Sequence, residues 1–118
     1  MPTKEFYLER IEKEFATARE ALKSGNDGKA RVCARRAAGE AIAWFLTKYP
    51  RSDWSPDVMR RLESLKNDTA FPIEARDAAH RLTTKISDQF TYPFTTNPIE
   101  DAEIIIRCIT LLMEHDAG

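Results

Sequence analysis

Glycine is scarce in this chain, with four residues in 118, and none stands in a pattern such as GxxxxGK[ST] or GxGxxG. The P-loop and dinucleotide-binding classes, whose backbone must approach phosphates closely, are thereby disfavoured, and there is no GxSxG nucleophile elbow. Cysteine and histidine are scarcer still: Cys33, Cys108, His80 and His115 are scattered with no CxxC, HxxH or HxxxH spacing, so neither a metal nor a cofactor is expected. Charge of one sign is lacking too. Lys and Arg total 18 against 19 Asp and Glu, which leaves −1 and excludes the electrostatic footprint of a general nucleic-acid binder. Any RNA site would be local. No uncharged apolar run approaches the roughly 18 residues that span a bilayer. The opening MPTKEFYLER, with Lys4, Glu5, Glu9 and Arg10, has no apolar signal-peptide stretch. A cytoplasmic chain without membrane contact is the expectation, with both cysteines as reduced thiols rather than a disulfide and Asn67-Asp68-Thr69 as an idle glycosylation match.

What is present is helical periodicity. The length is that of one domain, 1–118, and apolar residues recur at helical spacing between breaks at Asn26-Asp27-Gly28, Pro50, Pro56, Pro72, Pro93 and Pro98. This predicts an all-α, up-and-down bundle of four to five helices. The first runs from near Thr3 to Gly25, with Tyr7, Leu8, Ile11, Phe15, Ala18 and Leu22 inward and Phe6 off the stripe. After a turn at Asn26-Asp27-Gly28, the second faces inward through Ala30, Ala34, Ala37, Ala38, Ala41 and Phe45 and ends before Pro50. Ser55-Pro56-Asp57 predicts a cap, a first-turn proline and an acid ahead of Val58, Met59, Leu62 and Leu65, with an end near Asn67. Pro72 opens a fourth helix with Ala75, Ala78, Ala79, Leu82 and Ile86 inward. Asn97-Pro98-Ile99-Glu100 combines a cap, a first-turn proline and a capping-box acid for the last.

That last helix carries more apolar surface than one core face needs. Ala102, Ile105, Ile106, Ile109, Leu112 and Met113 form its inward stripe, whereas Ile104, Cys108 and Leu111 fall on another side, with a narrow polar strip of Glu100, Glu103, Arg107, Thr110 and Glu114. The helix is therefore either central in the bundle or carries a second apolar face into a partner, and a homodimer through Ile104, Cys108 and Leu111 is the expectation.

Three polar or aromatic groups compete for a binding role. Lys29, Arg31, Arg35 and Arg36 gather positive charge early in the second helix, where phosphates or an acidic protein surface would dock, although Glu40, four after Arg36, also allows a solvated ion-pair face. Arg76 and His80 share a helical face but lie opposite Ala78, Leu82 and Ile86, which predicts a solvated surface. In the aperiodic stretch 88–97, Phe90, Tyr92 and Phe94 alternate with Thr91 and Pro93; such aromatics stack on bases, grip peptides or seal the end of the bundle.

Ala34-Arg35-Arg36-Ala37-Ala38-Gly39-Glu40-Ala41-Ile42 and Asn97-Pro98-Ile99-Glu100-Asp101-Ala102 resemble the second and last helices of an uncharacterised branch of the HEPN superfamily, over roughly residues 29–113. The resemblance implies a small helical bundle. Active HEPN proteins are metal-independent ribonucleases with an arginine and a histidine separated by roughly four to six residues. Arg76 and His80 are too close together and too early in the chain for that motif. By distance from the last helix it falls near residues 85–92, where the resemblance places Lys85 in the arginine position, Asp88 in a polar position and Tyr92 in the histidine position. Tyrosine, with a reference pKa near 10, is a poor base at neutral pH, and lysine lacks the arginine fork. The resemblance therefore implies a HEPN-like domain without nuclease activity that binds a protein or RNA partner through Lys85, Asp88, Phe90, Tyr92 and Phe94, assisted by Arg35 and Arg36. The rival expectations are a ribonuclease or toxin-like enzyme using His80 with Arg76 or Tyr92 with Lys85, and a purely structural dimeric adaptor.

Overall fold

The computed structural model describes residues 2–85, 94 and 96–115, and these form five α-helices: α1 (Lys4–Lys23), α2 (Asp27–Lys48), α3 (Val58–Asn67), α4 (Ile73–Thr83) and α5 (Pro98–His115). The predicted all-α bundle is what the chain forms. Ile86, Asp88, Phe90 and Tyr92 lie outside the described residues.

Helix α1 starts where the Thr3 side chain accepts from the Phe6 amide, and it buries Tyr7, Ile11, Phe15, Ala18 and Ala21. Phe6 lies off this stripe and is exposed. So is Leu8, contrary to its predicted inward place; one residue from Tyr7 is about 100° round the helix, enough to turn it to water. The turn into α2 also differs from expectation. Gly25 holds the left-handed conformation, φ 78°, and Asn26 is already the cap of α2, its Oδ1 accepting from the Lys29 amide at 3.1 Å. Asp27 and Gly28 are therefore in the first helical turn, because a left-handed residue closing α1 reverses the chain without a second turn.

Helices α1 and α2 form an antiparallel hairpin fastened by an Arg10–Glu40 ion pair at 3.0 Å. Glu40 thus reaches across to the neighbouring helix rather than back to Arg36. Helix α2 packs against α1, α3 and α5 and buries Ala30, Ala34, Ala37, Ala38, Ala41 and Phe45 as predicted, together with Arg31, Cys33, Gly39, Ile42 and Trp44. Small side chains permit this enclosure: a Cβ on Gly39 would stand 3.0 Å from Val58 Cγ2, so α3 begins almost on the α2 backbone.

The cap of α3 is Asp57, whose carboxylate accepts from the Arg60 amide at 3.0 Å, and not Ser55, whose hydroxyl accepts from the Asp57 amide. A carboxylate answers the positive end of a helix better than a hydroxyl does, which shifts the start two residues onward. Leu62 and Leu65 are the buried residues of α3. Phe45, Tyr49, Trp54 and Phe71 close that end of the bundle, with the Phe45 ring 5.1 Å from Phe71 and the Arg51 guanidinium 5.5 Å above Phe45. Helix α4 buries Ala75, Ala78, Ala79 and Leu82 and packs against α3 and α5. Helix α5 opens at the predicted cap: Asn97 Oδ1 accepts from the Glu100 backbone amide at 2.9 Å, and the Asn97 side chain donates Nδ2 to Glu100 Oε1 at 3.1 Å. No helix is long and apolar enough to cross a membrane among the described residues.

Candidate functional site

Two places carry unusual chemistry. The first is where the C-terminus of α4 meets α2 and the start of α5. Arg31 is buried, and its Nη2 donates to the carbonyls of Arg81 and Leu82, both at 3.1 Å, and of Thr84. Arg35, half-buried, donates Nε to the Leu82 carbonyl at 2.7 Å. The last carbonyls of a helix have no partner within the helix, and two cations suit that negative end. On the other side Arg81 donates Nε to Asp101 at 2.8 Å, and Thr96 donates its hydroxyl to the same carboxylate oxygen at 2.9 Å; Asp101 is 0% exposed.

The early α2 charge is therefore divided. Arg31 and Arg35 turn inward to α4, while Lys29 and Arg36 are exposed. Lys85 is exposed and Phe94 half-buried; their companions at 88, 90 and 92 fall outside the described residues. On α4 His80 is exposed, but Arg76 is half-buried with its Nε enclosed, so that face is less solvated than its periodicity predicts. Among the described residues no three His, Cys, Asp or Glu side chains gather as metal ligands.

The second place is an open groove of about 660 Å³ between the start of α4 and the last three turns of α5. Pro72 and Ala75 form one wall and Ile104, Cys108, Leu111 and Leu112 the other, with Glu74, Arg107, Glu114 and His115 round the rim. It exists because α4 and α5 run antiparallel. The Arg81–Asp101 pair holds one end, and at the other α4 begins only at Ile73, leaving the α5 side chains beyond it uncovered. Ala102, Ile105 and Ile109 turn into the core as predicted, Ile106, Leu112 and Met113 are half-buried, and of the three predicted interface residues Ile104 and Cys108 are half-buried while Leu111 is 64% exposed.

Burial pushes the Cys108 thiol above its ordinary pKa, and the Glu74 carboxylate adds to the rise. Cys33, buried on α2, is raised by desolvation first and then by Glu14. Both sulfurs stay protonated at neutral pH, and a protonated thiol is a packing group rather than a nucleophile. The groove can hold an apolar surface.

In the sequence Arg31 stands only as one of the docking cations of the second helix, and nothing marks Asp101 as part of a site. The signal was there for Arg31 and Arg35, which stand at the head of the 31–35–38–42 stripe continued by Ala38 and Ile42. Asp101 similarly falls in line with Ile105, Cys108 and Leu112. A charge on an apolar stripe shows that it is enclosed, although not by what. Compared with known proteins, the chain matches no family model, no curated protein and no solved structure.

Proposed function

We propose that this chain is a non-catalytic, HEPN-like interaction module that docks a helical protein surface in the groove between α4 and α5. The observation that carries the reading is Leu111, 64% exposed at the centre of an apolar wall formed with Ile104, Cys108 and Leu112. Large apolar side chains clustered in a rimmed concavity mark sites of association, whereas single exposed ones do not. A protein suits this groove better than RNA, because its walls are apolar and its rim sets Glu74 and Glu114 against Arg107 and His115 rather than gathering cations for phosphates. The HEPN-like kinship is supported by the Ala34–Ile42 segment lying in a central helix and by Asn97–Ala102 opening the last one.

The test uses a fluorescein-labelled, designed amphipathic helical peptide with a leucine face, titrated with the protein at nanomolar chain concentration. Saturable binding is expected, and Leu111→Glu should weaken it at least about tenfold, since burying a charge among apolar side chains forfeits more than 1.4 kcal/mol. Unchanged far-UV circular dichroism would show that the variant still folds. No binding, or binding indifferent to Leu111, overturns the reading.

A further inference from the structure

We propose that the occupant of the α4–α5 groove is a second copy of this chain, whose α5 lies antiparallel to the first in a register set by Arg107 and Glu114. This rests on the reading of the groove as a docking surface and goes on to name what docks.

The groove side of α5 has its own period. Ile104, Cys108, Leu111 and His115 follow one another at intervals of four, three and four, the alternation by which a narrow line of side chains meets a facing helix. The core stripe, Ala102, Ile105 and Ile109, lies on a separate side and is buried. The α5 helix thus has one face for its own bundle and a second, narrower one with the pattern of an interhelical seam.

Charge then selects partner and direction. Arg107 and Glu114 are seven residues apart, so they flank the seam on the same side, and both line the groove. In an antiparallel pair, residues on the same flank of the two helices face each other. Setting Cys108 opposite Leu111 of the second copy, and Ile104 opposite its His115, brings Arg107 to within a turn of Glu114 of the second copy. The two-fold axis repeats the contact, giving two ion pairs from one arginine and one glutamate. A parallel pair loses both, because Arg107 would then face the Leu112 side of the other helix. An unrelated helix would need the mirror of this charge order; this chain has it by symmetry. Glu114 also meets Lys4 within the chain at 3.1 Å, on an exposed surface that leaves its second oxygen for the seam.

Sedimentation velocity between about 1 and 100 µM would test the arrangement with the full chain as wild type, Arg107→Glu, Glu114→Arg, the double reversal, Lys4→Ala and Leu111→Glu. A dimer is expected for the wild type. Each single reversal sets like charges against each other twice and should raise the dissociation constant about tenfold or more, and the double reversal should recover it. Lys4→Ala, which removes only the contact within the chain, should leave it unchanged. A wild type that is monomeric throughout, or four charge variants that dissociate alike, overturns the second-copy inference. If in that case the leucine-faced peptide still binds and loses affinity with Leu111→Glu, the groove remains a docking surface for another protein; if the peptide also fails, the docking reading falls with it.

Discussion

The carboxylate of Asp101 is the most enclosed charge in the described chain, and its worth lies in the groups it satisfies. It accepts from Arg81 and Thr96 and has no contact with bulk water. Asp101→Ala should lower stability by about 2–3 kcal/mol in a urea titration, near the value of hydrogen bonds to a charged group. The larger loss that follows from stranding a fully buried partner is not expected, because the Arg81 side chain is 22% exposed and water can answer part of its charge. A loss below about 1 kcal/mol would show that the pair does not hold α4 to α5. At this scale the sequence discloses residue types but not their partners. Arg31 and Arg35 stand on an apolar stripe and Arg36 off it, yet nothing in the sequence tells that the first two cap a helix some 50 residues away. Periodicity separates inside from outside; which carbonyl lies inside is a property of the packed molecule.

Between elements, the tight approach of the start of α3 to Gly39 of α2 sets two effects against each other. Gly39→Ala gains helix propensity of about 1 kcal/mol, but its methyl would stand 3.0 and 3.2 Å from the two Val58 methyl groups. The single variant should therefore be neutral or destabilised, whereas the same change in a Val58→Ala background should stabilise by about 1 kcal/mol; urea titration of the four chains of this cycle measures the coupling. Equal effects in both backgrounds would show that Val58 does not oppose the methyl. Element type and order were legible throughout, because the apolar spacing is helical and each break carries proline or a capping residue. Element starts were legible where one local bond decides them, as at Asn97 with Glu100. They were not where two acceptors compete, as Ser55 and Asp57 do, or where Gly25 turns the chain before the expected turn. The groove was half legible: Ile104, Cys108 and Leu111 follow from the α5 pattern, but the wall of Pro72 and Ala75 depends on where α4 begins.

Across the whole molecule, α2 is the common neighbour of α1, α3 and α5, and through Arg31 and Arg35 it also finishes α4. Helix α4 has 11 residues and is followed by Thr84, not by a glycine that could close it locally. A helix of that length is marginal in isolation, and its C-terminal carbonyls meet guanidinium groups only after α2 has docked. The ending of α4 is thus a product of assembly and should belong to the downhill side of the folding barrier. Arg31→Met, which keeps much of the side-chain length but no donor, should speed unfolding about tenfold in stopped-flow urea jumps while leaving the refolding rate within about twofold. A slowed refolding limb would instead place the arginine clasp in the transition state, so that a contact spanning about half the chain would be among the first the protein makes rather than the last to set its lifetime.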